Sequence, residues 1–287
     1  MTVSGQFFRD RHRDAGIAAL FDDDAMIATC VRVERALARA QADAGLVPRE
    51  LSAAMDGFQP DLAALRVTAE ADGFPILALV EQLRAHVGPT LAAQVHWGAT
   101  TQDIWDTALV LQLRLALDRT QIRLHALAGL LAALAGRHRE TPCLARTHQQ
   151  AAAPSTFGLK VAQWLAPLLD HLRDLATLRP RILLAQCGGA VGTLAEFGPA
   201  GPAIAAQFAR ELDLAPAAWP WHSRRHALHE VAAWIGLVLG SVAKFGQDAL
   251  LLQQTELAEL AEGPAGVGRS SAMLHKRNPI RAEAVLV

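Results

Sequence analysis

Residues Thr101–Arg139 read TQDIWDTALVLQLRLALDRTQIRLHALAGLLAALAGRHR, and this stretch decides the fold. It contains no proline, and Leu109, Leu113, Leu117, Leu124, Leu127, Leu131 and Leu134 fall close to one stripe when the chain is wound as a helix. At 1.5 Å of rise per residue the pattern predicts a helix of about 55 Å. Upstream, Asp24–Ala44 places Ile27, Val31, Ala38 and Ala42 on one helical face. Asp22, Asp23 and Asp24 stand at its start, where the helix dipole favours acids, and Gly45 and Pro48 stop it. Downstream, Pro154–Leu178, with a kink expected at Pro167, and Arg225–Ala261 are apolar around nearly their whole circumference. Helices of this kind pack as a bundle and continue their burial between subunits. Period-two runs rich in Val, Ile or Thr are scarce, and Tyr is absent. The fold class expected is all-α, a long-helix bundle.

Composition narrows the function. With 52% hydrophobic residues in 287, the chain can build a sizeable core. Its 27 Lys+Arg nearly balance 28 Asp+Glu, so neither nucleic acid nor an acidic membrane is an expected partner, and any anion site is local. Cys30, Cys143 and Cys187 are widely spaced with no CxxC or Cys/His ligand pattern, which reads as reduced thiols in a cytoplasmic protein with no metal site. The N-terminal MTVSGQFFRDRHRD carries charges where a signal peptide needs an apolar run. The apolar run Val231–Ala243, bounded by Glu230 and Lys244, falls short of the roughly 20 residues that span a bilayer. A soluble, non-exported protein is expected.

Three polar clusters interrupt the helices: His96–Asp103 (HWGATTQD), Arg146–Gln150 (RTHQQ) and Gly263–Pro279. Each lies at or near a helix terminus, where free N–H groups attract anions; Thr100, Thr101 and Gln102 either cap their own helix or hold a substrate carboxylate. The last cluster, rich in Gly and ending in Lys276, Asn278 and Pro279, reads as a mobile loop with two hydroxyls, a cation and an amide, able to close over a small anion.

Gly268–Pro279 (GRSSAMLHKRNP) resembles the GSSxMPxKxNP signature of the fumarase/aspartase superfamily. HWGATTQDIWDTALVLQLR and RTHQQAAAPSTFGLK resemble its first and second blocks, in the same order, as they occur in the carboxymuconate cycloisomerase subfamily. VERALARAQADAGLVP, LLAQCGGAVGTLAEFG and WHSRRHALHEVAAWIGLVLGSVAKFGQDALLLQQTE extend the likeness over essentially the whole chain. The resemblance implies an N-terminal helical domain (residues 1–97) and a central bundle domain (98–287). It also implies a homotetramer with a twenty-helix core and active sites shared between subunits. Relatives continue past the signature with a last bundle helix and a small third domain, so the natural chain is expected to extend beyond Val287.

The chemistry implied is addition or elimination beside a carboxylate, through an aci-carboxylate carbanion, on a small di- or tricarboxylate and without cofactor. In the subfamily a carboxylate adds to its own double bond to give a lactone. Ser270 is then the expected proton donor at carbon, with Ser271 and His148 as further catalytic candidates. His96, Thr100, Thr101, Gln102, Thr147, Gln150, Arg225, Lys276 and Asn278 are expected to bind substrate. A serine in this role needs a dry, cationic, donor-rich pocket. Arg269 replaces the signature's second glycine and Leu274 its proline, which alters pocket charge and, if position 269 needs positive φ, the backbone. The alternatives are a C–N lyase of the adenylosuccinate type, which would use His148 as acid, and a non-catalytic paralogue.

Overall fold

The computed structural model describes residues 13–263 and 268–286. The expected reading of the N-terminal segment lies almost wholly outside them, as does part of the Gly263–Pro279 loop. In chain order the helices are α1 (Ala15–Ala18), α2 (Asp23–Asp43), α3 (Leu51–Ala54), α4 (Leu62–Asp72), α5 (Ile76–Val87), α6 (Thr101–Arg137), α7 (Phe157–Ile182), α8 (Gly201–Glu211), α9 (His226–Leu252) and α10 (Ile280–Val285). Two antiparallel strands, β1 (Pro142–Thr147) and β2 (Gln150–Thr156), precede α7, and β3 (Leu184–Ala185) pairs in parallel with β4 (Ala215–Pro216). The described residues pack as two compact units, each discontinuous in sequence: Gly16–Arg119 with Thr177–Glu230, and 13–15 with Thr120–Ala176 and the described part of 231–286.

The first unit closes around an apolar core. The Asp22 carboxylate caps α2 by accepting the Ala25 amide at 2.8 Å. Of the predicted stripe, Ile27, Ala38 and Ala42 are buried and Val31 is half-buried, and the stripe forms only one margin of the buried arc, whose centre is Cys30, Val33 and Leu37. The arc is wide because α2 packs against both α3 and α8. Leu79 and Leu83 of α5, Ile104, Ala108 and Leu111 of α6, and Ile204 and Phe208 of α8 complete the cluster with Phe197 and Trp221. Cys30 is buried, Cys143 and Cys187 are half-buried, and all three are free thiols. Burial, reinforced by Glu34, pushes the Cys30 thiol far up, so it is chemically inert at neutral pH.

In the second unit α7 and α9 run antiparallel, joined by polar rungs. Trp164 Nε1 donates to Asp248 Oδ2 at 2.7 Å, His171 Nε2 meets Ser241 Oγ at 2.8 Å, and Trp234 Nε1 donates to the His171 carbonyl at 3.0 Å. Lys244 pairs with the same Asp248 carboxylate. On α6, Leu117, Leu124 and Leu131 are buried at seven-residue intervals, while Leu109, Leu113, Leu127 and Leu134 of the same predicted stripe are half-buried. Ile122, Leu130, Leu159, Leu169, Leu237 and Leu239 are exposed.

The expected helix boundaries hold at α2 and α6 to within two residues and shift at α7 and α9. The second polar block is a hairpin, with pairs from Pro142↔Thr156 to Thr147↔Gln150 and a bulge between Ala145 and Arg146. Pro154 therefore lies in a strand, and α7 starts at Phe157 and runs unbroken past Pro167. Alanines at 151–153 carry no period-two signal, so the turn rather than the side-chain pattern sets the register. At the other end α9 stops at Leu252, short of Ala261, because the Leu252 carbonyl accepts the amides of both Glu259 and Leu260 across a reversal that places Ala258 at φ 48°. The helix also runs through Glu230 and Lys244, so it is longer than the apolar run those charges bound. By length and composition α9 is long and apolar enough to cross a membrane, the only such helix among the described residues, and 17% of its most apolar window is buried within the chain.

Candidate functional site

The first polar block begins α6. Thr100 is the residue before the helix; its amide donates to Asp103 Oδ2 at 3.1 Å, and its carbonyl accepts the Asp103 amide at 2.9 Å. This is the reciprocal half of a capping box, with Asp103 satisfying a donor that the helix leaves free. The side-chain cap falls to Asp103, and Thr100 and Thr101 line a cavity of about 320 Å³ with Gln102, Asp72, Phe74 and Leu77. Gln102 is tied back by its Nε2, which donates to the His222 carbonyl at 2.9 Å.

His96, in the left-handed region at φ 63°, places Nδ1 2.6 Å from Glu34 Oε1, whose side chain is fully buried. Burial opposes protonation of His96, but the Glu34 charge and hydrogen bond, with Asp103 behind them, outweigh it and raise the imidazole above its ordinary pKa of 6.5. The pair's contribution to stability is thus complete below about pH 6.5 and is lost as pH rises through the higher folded value. We expect the difference in urea midpoint between wild type and His96→Gln to shrink steadily from pH 5.5 to pH 8.5; a constant difference would overturn the assignment.

Arg225 Nη1 and Nη2 grip Asp106 Oδ2 and Oδ1 at 2.5 and 2.8 Å, and its guanidinium lies 5.2 Å from the centre of the Trp221 ring. The side-chain hydrogen bond to Asp106 chiefly raises the already high pKa of Arg225. Its fork is therefore largely occupied by an internal carboxylate. Arg224, next to it, makes no such pair and lines a small cavity with Trp219 and His226.

Thr147, His148, Gln149 and Gln150 form the two-residue turn of the hairpin, and all four are exposed. His148 and Gln149 sit at φ 49° and 64°, both positive, which is the geometry of a type I′ turn normally made by Asn-Gly. Holding two side chains with Cβ atoms there stores strain, a common mark of functional positions. Arg146, two residues before His148, pairs with Glu259 at 2.6 Å, and that hydrogen bond is the main cause lowering the Glu259 carboxyl below its usual range. Arg146 and Gln149 line a cavity of about 490 Å³ with Lys160, Lys244 and Asp248; Thr147, His148 and Gln150 do not.

Ser270, Ser271, Lys276 and Asn278 lie on one short reversal. Its base is fixed by the Asn278 amide donating to the Gly268 carbonyl at 2.7 Å and by an antiparallel bridge between Arg269 and Arg277. Gly268 has φ 69°, and a Cβ there would lie 2.1 Å from the Asn278 carbonyl oxygen, so only glycine fits. Arg269 is not at positive φ, and the backbone objection to a side chain at that position does not arise. Ser270 Oγ accepts the amides of Ala272 and Met273 at 3.3 and 3.1 Å. Ser271 and Lys276 are exposed. Leu274, where the signature has proline, is 85% exposed.

His96, Thr100, Thr101, Gln102 and Arg225 thus belong to the first unit, and Thr147, His148, Gln150, Ser270, Ser271, Lys276 and Asn278 to the second. Sequence reasoning missed the carboxylates beneath the first block. Asp103 and Asp106 are both 2% exposed, spaced i,i+3 on a helix whose neighbours Ile104, Ala108 and Leu111 are core. Two acids on the buried face of a helix are rare enough to have been a signal.

A long-helix fold carrying a threonine turn at a helix start, a strained Thr-His hairpin tip and a Ser-Ser-Lys-Asn reversal has the helical architecture and the three polar blocks of the fumarase/aspartase class. The chain belongs to the lyase family of the fumarase/aspartase superfamily, whose family model matches residues 18–287. It is 42% identical to the 3-carboxy-cis,cis-muconate cycloisomerase of Pseudomonas aeruginosa, across 99% of this chain and 63% of that protein. It is 37% identical to the nitrosuccinate lyase of Streptomyces davaonensis, across 94% of this chain and 60% of that protein. The solved 3-carboxy-cis,cis-muconate lactonizing enzyme from Pseudomonas putida matches with a TM-score of 0.93 at 40% identity, covering 98% of this chain and 65% of that one. The chain therefore spans a little under two thirds of the length of these relatives.

Proposed function

We propose that the protein is a cytoplasmic cycloisomerase that closes 3-carboxy-cis,cis-muconate to a carboxymuconolactone in aromatic-acid breakdown. The observation that carries this reading is the near-complete match of the chain, at a TM-score of 0.93, to the lactonizing enzyme. In this reading one carboxylate adds to its own double bond, the charge spreads into a second carboxylate as an aci-anion, and Ser270 delivers the proton to carbon. The Thr100–Gln102 turn, with His96, Thr147, Gln150, Arg225, Lys276 and Asn278, holds carboxylates, and Ser271 stands beside the donor. The blocks come together between copies in a homotetramer. The exposed leucines of α6, α7 and α9 support that assembly, since apolar faces of this breadth are normally covered. The same reading divides the chain into an N-terminal helical domain, residues 1–97, and a bundle domain, residues 98–287.

Full-length purified protein is expected to consume 3-carboxy-cis,cis-muconate without added cofactor, followed by ultraviolet absorbance, and to sediment as a tetramer. Brisk cleavage of adenylosuccinate with no turnover of carboxymuconate would reverse the ranking in favour of a C–N lyase. Similarity to the nitrosuccinate lyase gives that second reading its support.

His148 separates the two chemistries. A carboxylate nucleophile, ionised above a pKa near 4, needs no proton acceptor at neutral pH, whereas a departing amine needs a proton. His148→Gln is expected to lower kcat/KM on carboxymuconate by no more than about tenfold, or about 1.4 kcal/mol. A loss of a thousandfold or more with the assembly intact would make His148 an essential acid or base.

A further inference from the structure

We propose that His222, through the buried Asp103, is the positioning residue that sets the carboxylate-binding turn Thr100–Gln102. The inference rests on the reading of that turn as a carboxylate site. His222 lies in the WHSRRH segment, 66 residues beyond Thr156 at the end of the hairpin, and no part of the proposed chemistry assigns it a role.

Asp103 lies on the first turn of α6 with its side chain 3% exposed. Its Oδ1 accepts the Gly188 amide at 2.9 Å and His222 Nε2 at 2.8 Å; its Oδ2 accepts the Gly189 amide at 2.9 Å and the Thr100 amide at 3.1 Å. A buried carboxylate held by this many donors has one allowed orientation. His222 then holds the turn twice: its ring fixes Asp103, and its carbonyl takes the Gln102 side-chain amide at 2.9 Å. The ring itself has little freedom. A Cβ at Gly188 would lie 2.8 Å from His222 Cε1, so the imidazole packs directly on the backbone that also donates to Asp103. Trp221, the preceding residue, is pinned by its amide donating to Gln186 Oε1 at 2.8 Å. Because Nε2 is the atom engaged, glutamine, whose Nε2 occupies the corresponding place, preserves the link. Leucine removes it, and asparagine is too short to reach Asp103.

The turn contacts the carboxylate in ground and transition states alike, so loosening it weakens binding more than it slows chemistry. The experiment measures tricarballylate binding by titration calorimetry, together with KM and kcat on 3-carboxymuconate, for wild type, His222→Gln and His222→Leu. His222→Asn replaces the leucine variant if that one does not fold. We expect Leu or Asn to raise Kd and KM by about tenfold or more with kcat within about threefold, and Gln to restore both to within about threefold of wild type. Equal losses in Gln and Leu, a fall confined to kcat, or a wild type that binds no tricarballylate would each overturn the proposal. A wild type that binds tricarballylate but does not turn over carboxymuconate sinks the cycloisomerase reading alone, and the binding arm still decides the role of His222.

Discussion

Ser270→Ala is expected to lower kcat on 3-carboxymuconate by at least about a hundredfold, the lower end of what positioned proton transfer contributes. In the structure the Ser270 hydroxyl oxygen accepts two backbone amides of its own loop, from Ala272 and Met273. Those bonds leave the hydroxyl proton free to be given away, and they polarise the oxygen in the direction that stabilises it once the proton has left. Alanine at this position also releases the two amides, so a change in loop structure must be told apart from a lost proton donor. Ser271→Ala provides the comparison, since Ser271 is exposed on the same reversal. Stopped-flow kinetics on both variants, with circular dichroism to confirm folding, are expected to show a large loss for Ser270 alone. Activity of Ser270→Ala within a few-fold of wild type would move the proton to Ser271 or another donor.

Arg225→Leu is expected to cost about 3–5 kcal/mol of stability, because it strands the Asp106 carboxylate in the core without its partner. Asp106 is 2% exposed, and its two oxygens are both held by the Arg225 fork. The double variant Asp106→Leu/Arg225→Met removes the charge along with its partner and is expected to recover more than half of that loss. Urea unfolding followed by tryptophan fluorescence distinguishes the outcomes; a single-variant cost under about 1 kcal/mol would mean that water reaches Asp106. One consequence concerns function: inactivity of an Arg225 variant does not show that Arg225 touches substrate, because the block it anchors fails with it.

The long helices were legible because apolar spacing, carried in α6 by leucines from Leu109 to Leu134, leaves no alternative period, and α2 and α6 fall where the pattern puts them. The hairpin was not. Its second strand is built from Gln, Ala, Ser and Thr with a proline inside, and what defines the hairpin is a backbone turn with two positive φ angles at His148 and Gln149, residues that give no turn signal. The site shows the same division. Thr147, His148, Gln150, Ser271 and Lys276 lie exposed on segments that the polar blocks mark, whereas the Asp103 and Asp106 networks depend on partners 83 to 119 residues away in sequence. Pairings of that range leave no local pattern to read.

The discontinuity of the first unit bears on how the chain acquires its structure during synthesis. Helix α2 has its buried face partly against α8, and the Asp103 and Asp106 carboxylates find His222 and Arg225, all supplied by Thr177–Glu230. When Arg119 has been made, that second segment is still more than fifty residues from being started. At ribosomal speeds of roughly 5–20 residues per second, the apolar face of α2 and two unpaired acids wait on the order of ten seconds for their partners. During that interval Val33, Leu37 and their neighbours are open to the wrong chain as readily as the right one. Yield in a cell is therefore expected to be limited by holding chaperones and by the rate of translation between residues 120 and 230, in a protein whose finished fold shows no such weakness.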